Sequence, residues 1–163
     1  MHKFTKVYLD MDGVICDFNS KFKEMFNVSP ASAESRRRFG DLFHKFINAN
    51  AFATLNKMPD ADDLLNYLKT IEVPIEMLSS TARPSSNASI SRQKQIWLDK
   101  HGITYPAIFV PGASLKAQYA DKNSILIDDT EGVIDAWNKA GGTGILHKDA
   151  LTTISILDAL LRV

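Results

Sequence analysis

Short apolar runs alternate with longer amphipathic stretches along most of this 163-residue chain. Val7-Tyr8-Leu9, Ile75-Glu76-Met77-Leu78, Ile108-Phe109-Val110, Ile125-Leu126-Ile127 and Gly144-Ile145-Leu146 are too short for helices, and they predict strands over 6–10, 74–79, 107–110, 124–128 and 143–147. Apolar residues at helical spacing predict helices over 61–70, 89–101, 114–121, 131–140 and 151–162. Strand–helix alternation of this kind predicts an α/β fold with a parallel sheet covered by helices on both faces. Local signals mark the ends: Pro59-Asp60 precedes the Leu64-Leu65-Leu68 stripe, and Lys139-Ala140-Gly141 closes another helix with a basic last turn and a glycine stop. Gly141-Gly142-Thr143-Gly144 precedes a strand, so it reads as helix stop and turn and not as a dinucleotide loop.

The alternation is interrupted once, between the first strand and the helix at 61, by far more chain than the usual few connecting residues. Seven of the nine phenylalanines lie there. Phe18, Phe22 and Phe26 recur every four residues, and Phe39, Phe43 and Phe46 follow four-and-three spacing, as the buried stripes of helices do. The expected organisation is a core of residues 1–16 and 58–163 with a small helical cap of its own at 17–57. Phe18, beside the first strand, and Phe52, near the chain's return, are the two rings placed to reach a ligand; the others read as cap core. Arg36-Arg37-Arg38 cannot share one helix face and reads as solvated surface.

Composition removes several classes of function. Formal charge is zero, so no global field draws the chain to nucleic-acid polymers or anionic membranes. The single cysteine, Cys16, cannot form an internal disulfide. It also lacks the arginine that a thiol phosphatase would place shortly after it, so it reads as a packed side chain. The N-terminus, Met1 to Lys6, leads to a run of only three apolar residues before Asp10, too few for a signal-peptide core, and no run approaches a membrane span; the expectation is a cytoplasmic protein. The histidines at 2, 44, 101 and 147 show no paired metal spacing, and Trp97 and Trp137 sit on helices as packing residues.

Chemistry concentrates at strand ends. Asp10-Met11-Asp12-Gly13-Val14 follows the first strand directly, and carboxylates there can face a metal and a phosphate together, although Asp and Gly are also ordinary turn residues. A calcium loop counted from Asp10 fails, since Val14, Ile15 and Lys21 stand where an oxygen ligand, glycine and glutamate are needed. Near the other end, Ile125-Leu126-Ile127-Asp128-Asp129 repeats the design of an apolar strand closed by carboxylates. In a parallel sheet the C-terminal strand ends open on one edge, where the two acidic ends converge.

In these residues the chain resembles the haloacid dehalogenase (HAD) superfamily of aspartate-dependent phosphohydrolases. Asp10 to Val14 matches the first motif. Ile75-Glu76-Met77-Leu78-Ser79 matches an apolar strand ending in Ser or Thr, Lys116 the lysine before the last acidic strand, and Asp128-Asp129 the closing acidic pair. Ala117 follows Lys116 where many members carry proline, and Lys94 and Lys122 are the alternative lysines. A closer resemblance is to the 5'(3')-deoxyribonucleotidases. It rests on Asp10 to Phe18, Lys94-Gln95-Ile96-Trp97-Leu98, Ile125 to Asp129, Ala136-Trp137 and Gly141 to Ile145, and is loose from Asn19 to Lys57.

The resemblance implies a HAD-like Rossmannoid sheet sandwiched by helices, with the cap inserted after the first strand. It implies that Asp10 is the nucleophile forming an aspartyl-phosphate and that Asp12 is the acid–base. Mg²⁺ is implied as cofactor, with Asp10, Asp12 (through its backbone carbonyl) and Asp129 as ligands and Asp128 behind them, because adjacent strand side chains point to opposite sides. Ser79 is expected to hold the phosphoryl group with Ser80 as neighbour, and Lys116 to offset its charge. Arg83 is either a substrate contact or a solvent-facing loop residue. The expected substrate is a small phosphomonoester, foremost a nucleoside monophosphate cleaved as by a 5'-nucleotidase. A phosphosugar, a nucleic-acid 3'-phosphate end and a catalytically silent binding domain are the alternatives. Oligomeric state is not readable from the sequence.

Overall fold

The computed structural model describes residues 3–162. Five strands, β1 (Lys6–Leu9), β2 (Ile75–Ser80), β3 (Ala107–Val110), β4 (Ser124–Asp128) and β5 (Thr143–Leu146), form one parallel sheet in the order β3-β2-β1-β4-β5. The chain runs outward from β1 in one direction as far as β3 and then crosses back to β4. That reversal opens a crevice between the C-terminal ends of β1 and β4, the place where open α/β sheets bind ligands.

Period-two alternation sorts the strand side chains onto two faces. Val7, Leu9, Ile75, Met77, Ile125 and Ile127 enter one core with Trp97 and Leu98 of α5 (Asn87–Lys100), Leu64 and Leu68 of α4 (Ala61–Leu68) and Leu157 of α7 (Ala150–Leu161). Leu78, Val110 and Leu126 face the opposite way and pack with Ile134 and Trp137 of α6 (Glu131–Lys139). Both faces are therefore covered, as the near-continuous apolar strands require.

One predicted helix differs in kind. Ala113–Tyr119 is a 3₁₀ helix, not an α-helix. Only seven residues separate Gly112 from the extended Ala120, too few to repay α-helix nucleation, and the tighter winding projects Lys116 inward.

The insertion folds as α1 (Phe18–Phe26), α2 (Ala33–Arg37), α3 (Phe39–Asn48) and a 3₁₀ turn at Ala51–Thr54. Asp17 caps α1 by accepting from the Ser20 N–H at 3.1 Å, and Asn27 in the left-handed region ends it. The two chain connections to the insertion are stitched together, Asp17 N–H to Asn56 O and Met58 N–H to Ile15 O, each at 2.9 Å. Phe22, Phe46 and Phe52 are buried in the same continuous core as Leu9 and Trp97, so the insertion packs onto the main core. The α5 side chains bolt it down: Gln93 accepts from Phe52 N–H (3.1 Å) and donates to Ile47 O (2.9 Å), and Trp97 Nε1 donates to Leu55 O (2.7 Å). A segment of this size buries too little alone, which explains the anchoring. Arg36, Arg37 and Arg38 are exposed, and Arg38 pairs with Glu34. No helix among the described residues is long and apolar enough to cross a membrane.

Candidate active site

Strand register assembles the site. Leu9 pairs with both Met77 and Ile127, so β1, β2 and β4 deliver Asp10, Ser79 and Asp128 to one edge. The Asp10 N–H bonds Ile127 O at 3.0 Å, locking the two acidic strand ends together. A cavity of about 530 Å³ opens over this edge, lined by Asp10, Asp12, Ser80, Lys116, Asp128 and Asp129, with Phe18, Met58 and Val133 as its apolar wall. That volume suits a small organic ligand. A cavity of about 640 Å³ lies at the opposite sheet edge, around Pro74, Tyr105 and Pro106, away from this carboxylate cluster.

Charge in the site is arranged around two buried lysines. Lys116 Nζ donates to Asp10 Oδ1 at 3.0 Å and Asp128 Oδ2 at 2.7 Å. Desolvation works to lower the Lys116 pKa, but the charges of Asp10 and Asp128 outweigh it and hold the ammonium above the ordinary lysine range. One ammonium does not neutralise two carboxylates, and burial pushes the Asp10 carboxyl upward against the pull of Lys116. Lys94 Nζ donates to Ser79 Oγ (2.6 Å), Asp12 Oδ2 (2.9 Å) and Ser80 O (2.9 Å), and lies 5.3 Å from the centre of the Phe52 ring. Asp12 Oδ1 has no hydrogen-bond partner among the described residues. Two of the three candidate lysines therefore hold different carboxylates, and the third, Lys122, is exposed. Lys94 has a sequence signal of its own, a lysine within the buried helical stripe Ile90–Lys94–Trp97–Leu98.

Asp129 completes an acidic triangle in which oxygens of Asp10, Asp128 and Asp129 all lie within 4.8 Å of one another. Asp128 is fully engaged, one oxygen on Lys116 and the other accepting from Thr130 N–H at 3.0 Å. Asp129 meets the Thr130 hydroxyl at 3.3 Å. Desolvation first, then the charges of Asp10 and Asp128, push its carboxyl up to about 7. A carboxylate so crowded, with no ion pair to a basic side chain among the described residues, fits a divalent ion, and the all-oxygen donor set suits Mg²⁺. The opposite-face expectation for adjacent aspartates loses force here because Asp129 lies beyond the last residue of β4.

Gly13 makes that triangle sterically feasible. It sits at φ +80°, and a β-carbon on it would lie 1.9 Å from Asp129 Oδ2. Gly13→Ala should therefore displace Asp129 and break up the carboxylate triangle that suits Mg²⁺, with about 1–2 kcal/mol lost to the left-handed backbone alone. Calorimetric titration and urea unfolding would check both, and retained Mg²⁺ affinity would refute the link to Asp129.

The other expected site residues divide. Phe18 is half-buried and lines the cavity. Phe52 does not: it is 3% exposed, stacked on Phe18 at 5.7 Å and wedged against Phe43 and Phe46, so its expected ligand contact gives way to core packing beneath Lys94. Arg83 is exposed and lines a separate cavity with His44 and Ser89, the solvent-facing alternative. Ser79 is fully buried under Lys94, while Ser80 reaches the cavity wall. Cys16 is buried, and desolvation followed by the charge of Asp12 pushes its thiol well above the usual range, which suits packing. His147 lines the cavity with Nδ1 against Thr153 Oγ1 at 2.7 Å, and burial lowers its pKa. Its sequence surroundings gave no sign of this. His44 and His101 lie elsewhere, and His2 is outside the described residues.

No family model and no curated protein matches this sequence. Solved structures do match, over almost the full length of both chains. A dehalogenase with an intermediate complex superposes with a TM-score of 0.64 at 12% identity, covering 99% of this chain and 98% of its own. The fold is that of HAD-superfamily hydrolases. A HAD-superfamily hydrolase from Ehrlichia chaffeensis gives 0.58 at 13% identity with 98% of each chain covered. A D,D-heptose 1,7-bisphosphate phosphatase from Burkholderia thailandensis gives 0.53 at 12%, covering 97% of this chain and 99% of that one. The HAD-like sheet order and the acidic edge thus occur together in a sequence only distantly similar to these proteins.

Proposed function

We propose that the protein is a Mg²⁺-dependent phosphomonoester hydrolase working through an aspartyl-phosphate, with nucleoside monophosphates as its substrates. The observation that carries this reading is the pair Asp10 and Asp12, two residues apart in the chain and on one cavity, each with one oxygen tied to its own buried lysine.

The tie to Lys116 fixes Asp10 and leaves Oδ2 as the attacking oxygen, so that a bond forms to phosphorus as the ester oxygen departs. Lys94 orients Asp12, whose unpartnered Oδ1 gives a proton to the leaving oxygen. The same oxygen then takes a proton from the water that cleaves the acyl-phosphate. Asp10 and Asp129 would hold Mg²⁺ directly, and Asp128 would brace Lys116 behind them. Bound Mg²⁺ supplies the positive charge that offsets repulsion between the carboxylates and the substrate phosphate.

EDTA should remove phosphatase activity and Mg²⁺ restore it, with Asp129→Ala more damaging to Mg²⁺ affinity than Asp128→Ala. Because Asp129 is raised to about 7, Mg²⁺ binding should release a proton below that pH and weaken as acid protonates the carboxyl. The metal-free protein should lose stability as pH rises from about 4 toward 7, since the folded state there binds the proton that the unfolded chain has lost. Titration calorimetry in two buffers of different ionisation enthalpy measures the proton. Equal Mg²⁺ affinity at pH 5.5 and 8 would refute the assignment.

The nucleoside part of the proposal is supported by the apolar wall. Phe18, Met58 and Val133 offer a surface for a base beside the acidic edge. Stacking on an aromatic ring contributes about 1–3 kcal/mol, so Phe18→Ala should lower kcat/KM for deoxynucleoside monophosphates by about tenfold or more while sparing p-nitrophenyl phosphate. Phe52→Ala, a core truncation, should instead lower stability and both activities together. A panel of 5'- and 3'-monophosphates of ribo- and deoxyribonucleosides, phosphosugars and 3'-phosphorylated oligonucleotides decides the class. Nucleotides ranking below phosphosugars would transfer the proposal to those substrates.

A further inference from the structure

The loop after β2 carries a strained residue that the catalytic scheme does not use. Ala82 sits at φ +72°, a region that costs an ordinary side chain about 1–2 kcal/mol. The Arg83 N–H bonds Thr81 O at 2.9 Å across it, which makes Thr81-Ala82-Arg83 a γ-turn of the rare positive-φ kind. Such strain persists only where the surroundings over-determine the backbone. Here the Thr81 N–H bonds Val110 O at 2.8 Å, Thr81 Oγ1 lies 2.7 Å from Asn87 Oδ1, and the Ser86 hydroxyl donates to Thr81 O at 2.6 Å. The whole turn is clamped to β3 and to the start of α5.

What the turn accomplishes lies two residues back. It aims the Ala82 N–H at Ser80 Oγ, 3.1 Å away, while Lys94 holds the Ser80 carbonyl at 2.9 Å. A hydroxyl offers one proton and two acceptor sites. With an acceptor site occupied by Ala82, the Ser80 proton is left to donate, and Ser80 lines the cavity beside Asp10 and Lys116. Ser79, which the motif pattern favours, is fully buried and already accepts from Lys94 at 2.6 Å.

We infer that Ala82 is a positioning residue whose strained turn fixes Ser80 as a hydroxyl donor to the phosphoryl group, a reading that rests on the phosphatase proposal. Ala82 is exposed, so a larger side chain has room there and only its backbone preference is at issue. Ala82→Gly keeps the turn and removes its strain, so it should raise the melting temperature. Ala82→Val carries a β-branched side chain that resists positive φ. It should weaken competitive inhibition by inorganic phosphate about tenfold, as Ser80→Ala should, from the loss of one hydrogen bond to a charged group.

The double variant Ala82→Val/Ser80→Ala should be no worse than either single one, because both remove the same contact. Additive losses in the double variant, or a melting temperature lowered by Ala82→Gly, would overturn the inference. If Ala82→Val does not fold, comparison of Ser79→Ala with Ser80→Ala still decides it: greater loss of phosphate affinity in Ser79→Ala would overturn it. A wild-type protein that neither binds phosphate nor turns over any phosphoester would instead bring down the phosphatase proposal itself.

Discussion

On the proposed aspartyl-phosphate mechanism, Asp10→Asn should lower phosphatase turnover by about 10⁴-fold or more, the scale on which removing a nucleophile acts when no other group can replace it. The substitution is nearly isosteric, and an amide oxygen can still accept from Lys116, so the contact now measured at 3.0 Å is kept. What disappears is the charge and the nucleophilicity. Stability should not fall with it, because Asp10 is a buried carboxylate pushed upward by desolvation and sharing one ammonium with Asp128. A melting temperature equal to or above that of the unaltered protein, together with lost turnover, is the expected pair of results. Incubation of the active protein with beryllium fluoride and Mg²⁺ should place the phosphoryl mimic against Asp10. Appreciable turnover by homogeneous Asp10→Asn protein would exclude an aspartyl-phosphate at this position.

The sequence reveals this centre unevenly, for physical reasons. Strand periodicity carries Asp10 and Asp128 to the same edge, because a parallel sheet with its apolar strands in register has only one place for residues that follow those strands. The two lysines are harder to read. A lysine contributes a long flexible stem, and whether Lys94 or Lys116 reaches the carboxylates depends on helix rotation, which spacing alone does not fix. Both reach them, and only the intrusion of Lys94 into an apolar stripe was a local sign. Phe52 was misplaced for a related reason. Helical spacing shows that phenylalanines share a buried face, but it does not show which ring lies at the rim, and the rim ring proved to be Phe18. The φ of Ala82 has no signature at all in the sequence, since the residue that usually marks such a turn is glycine.

The largest effect on stability should come from Lys116. Its side chain is 4% exposed and its ammonium bridges Asp10 and Asp128, themselves 8% and 1% exposed. Lys116→Met keeps much of the apolar stem but leaves two buried carboxylates facing each other beside Asp129. Breaking a buried ion pair from one side costs about 3–5 kcal/mol, and that scale applies at neutral pH in EDTA, where no metal can substitute for the ammonium. The pH dependence identifies the cause. In the unaltered protein the Lys116 pKa is raised, so the lysine's contribution is fully present below the ordinary lysine value and stays constant through the neutral range. In Lys116→Met the Asp10 carboxyl, already pushed upward by burial, loses the ammonium that pulls it down and should titrate above its unfolded value of about 3.9. Folding then takes up protons, and stability should fall as pH rises from about 4 through the neutral range. Urea unfolding should accordingly show a larger deficit at pH 8 than at pH 5. Lys116→Met/Asp128→Asn should recover part of the loss at pH 8 without recovering turnover, because it removes one of the two opposed charges and leaves the phosphoryl site without its ammonium. An equal deficit at both pH values, with no recovery in the double variant, would mean that Lys116 stabilises the fold through packing and not through charge.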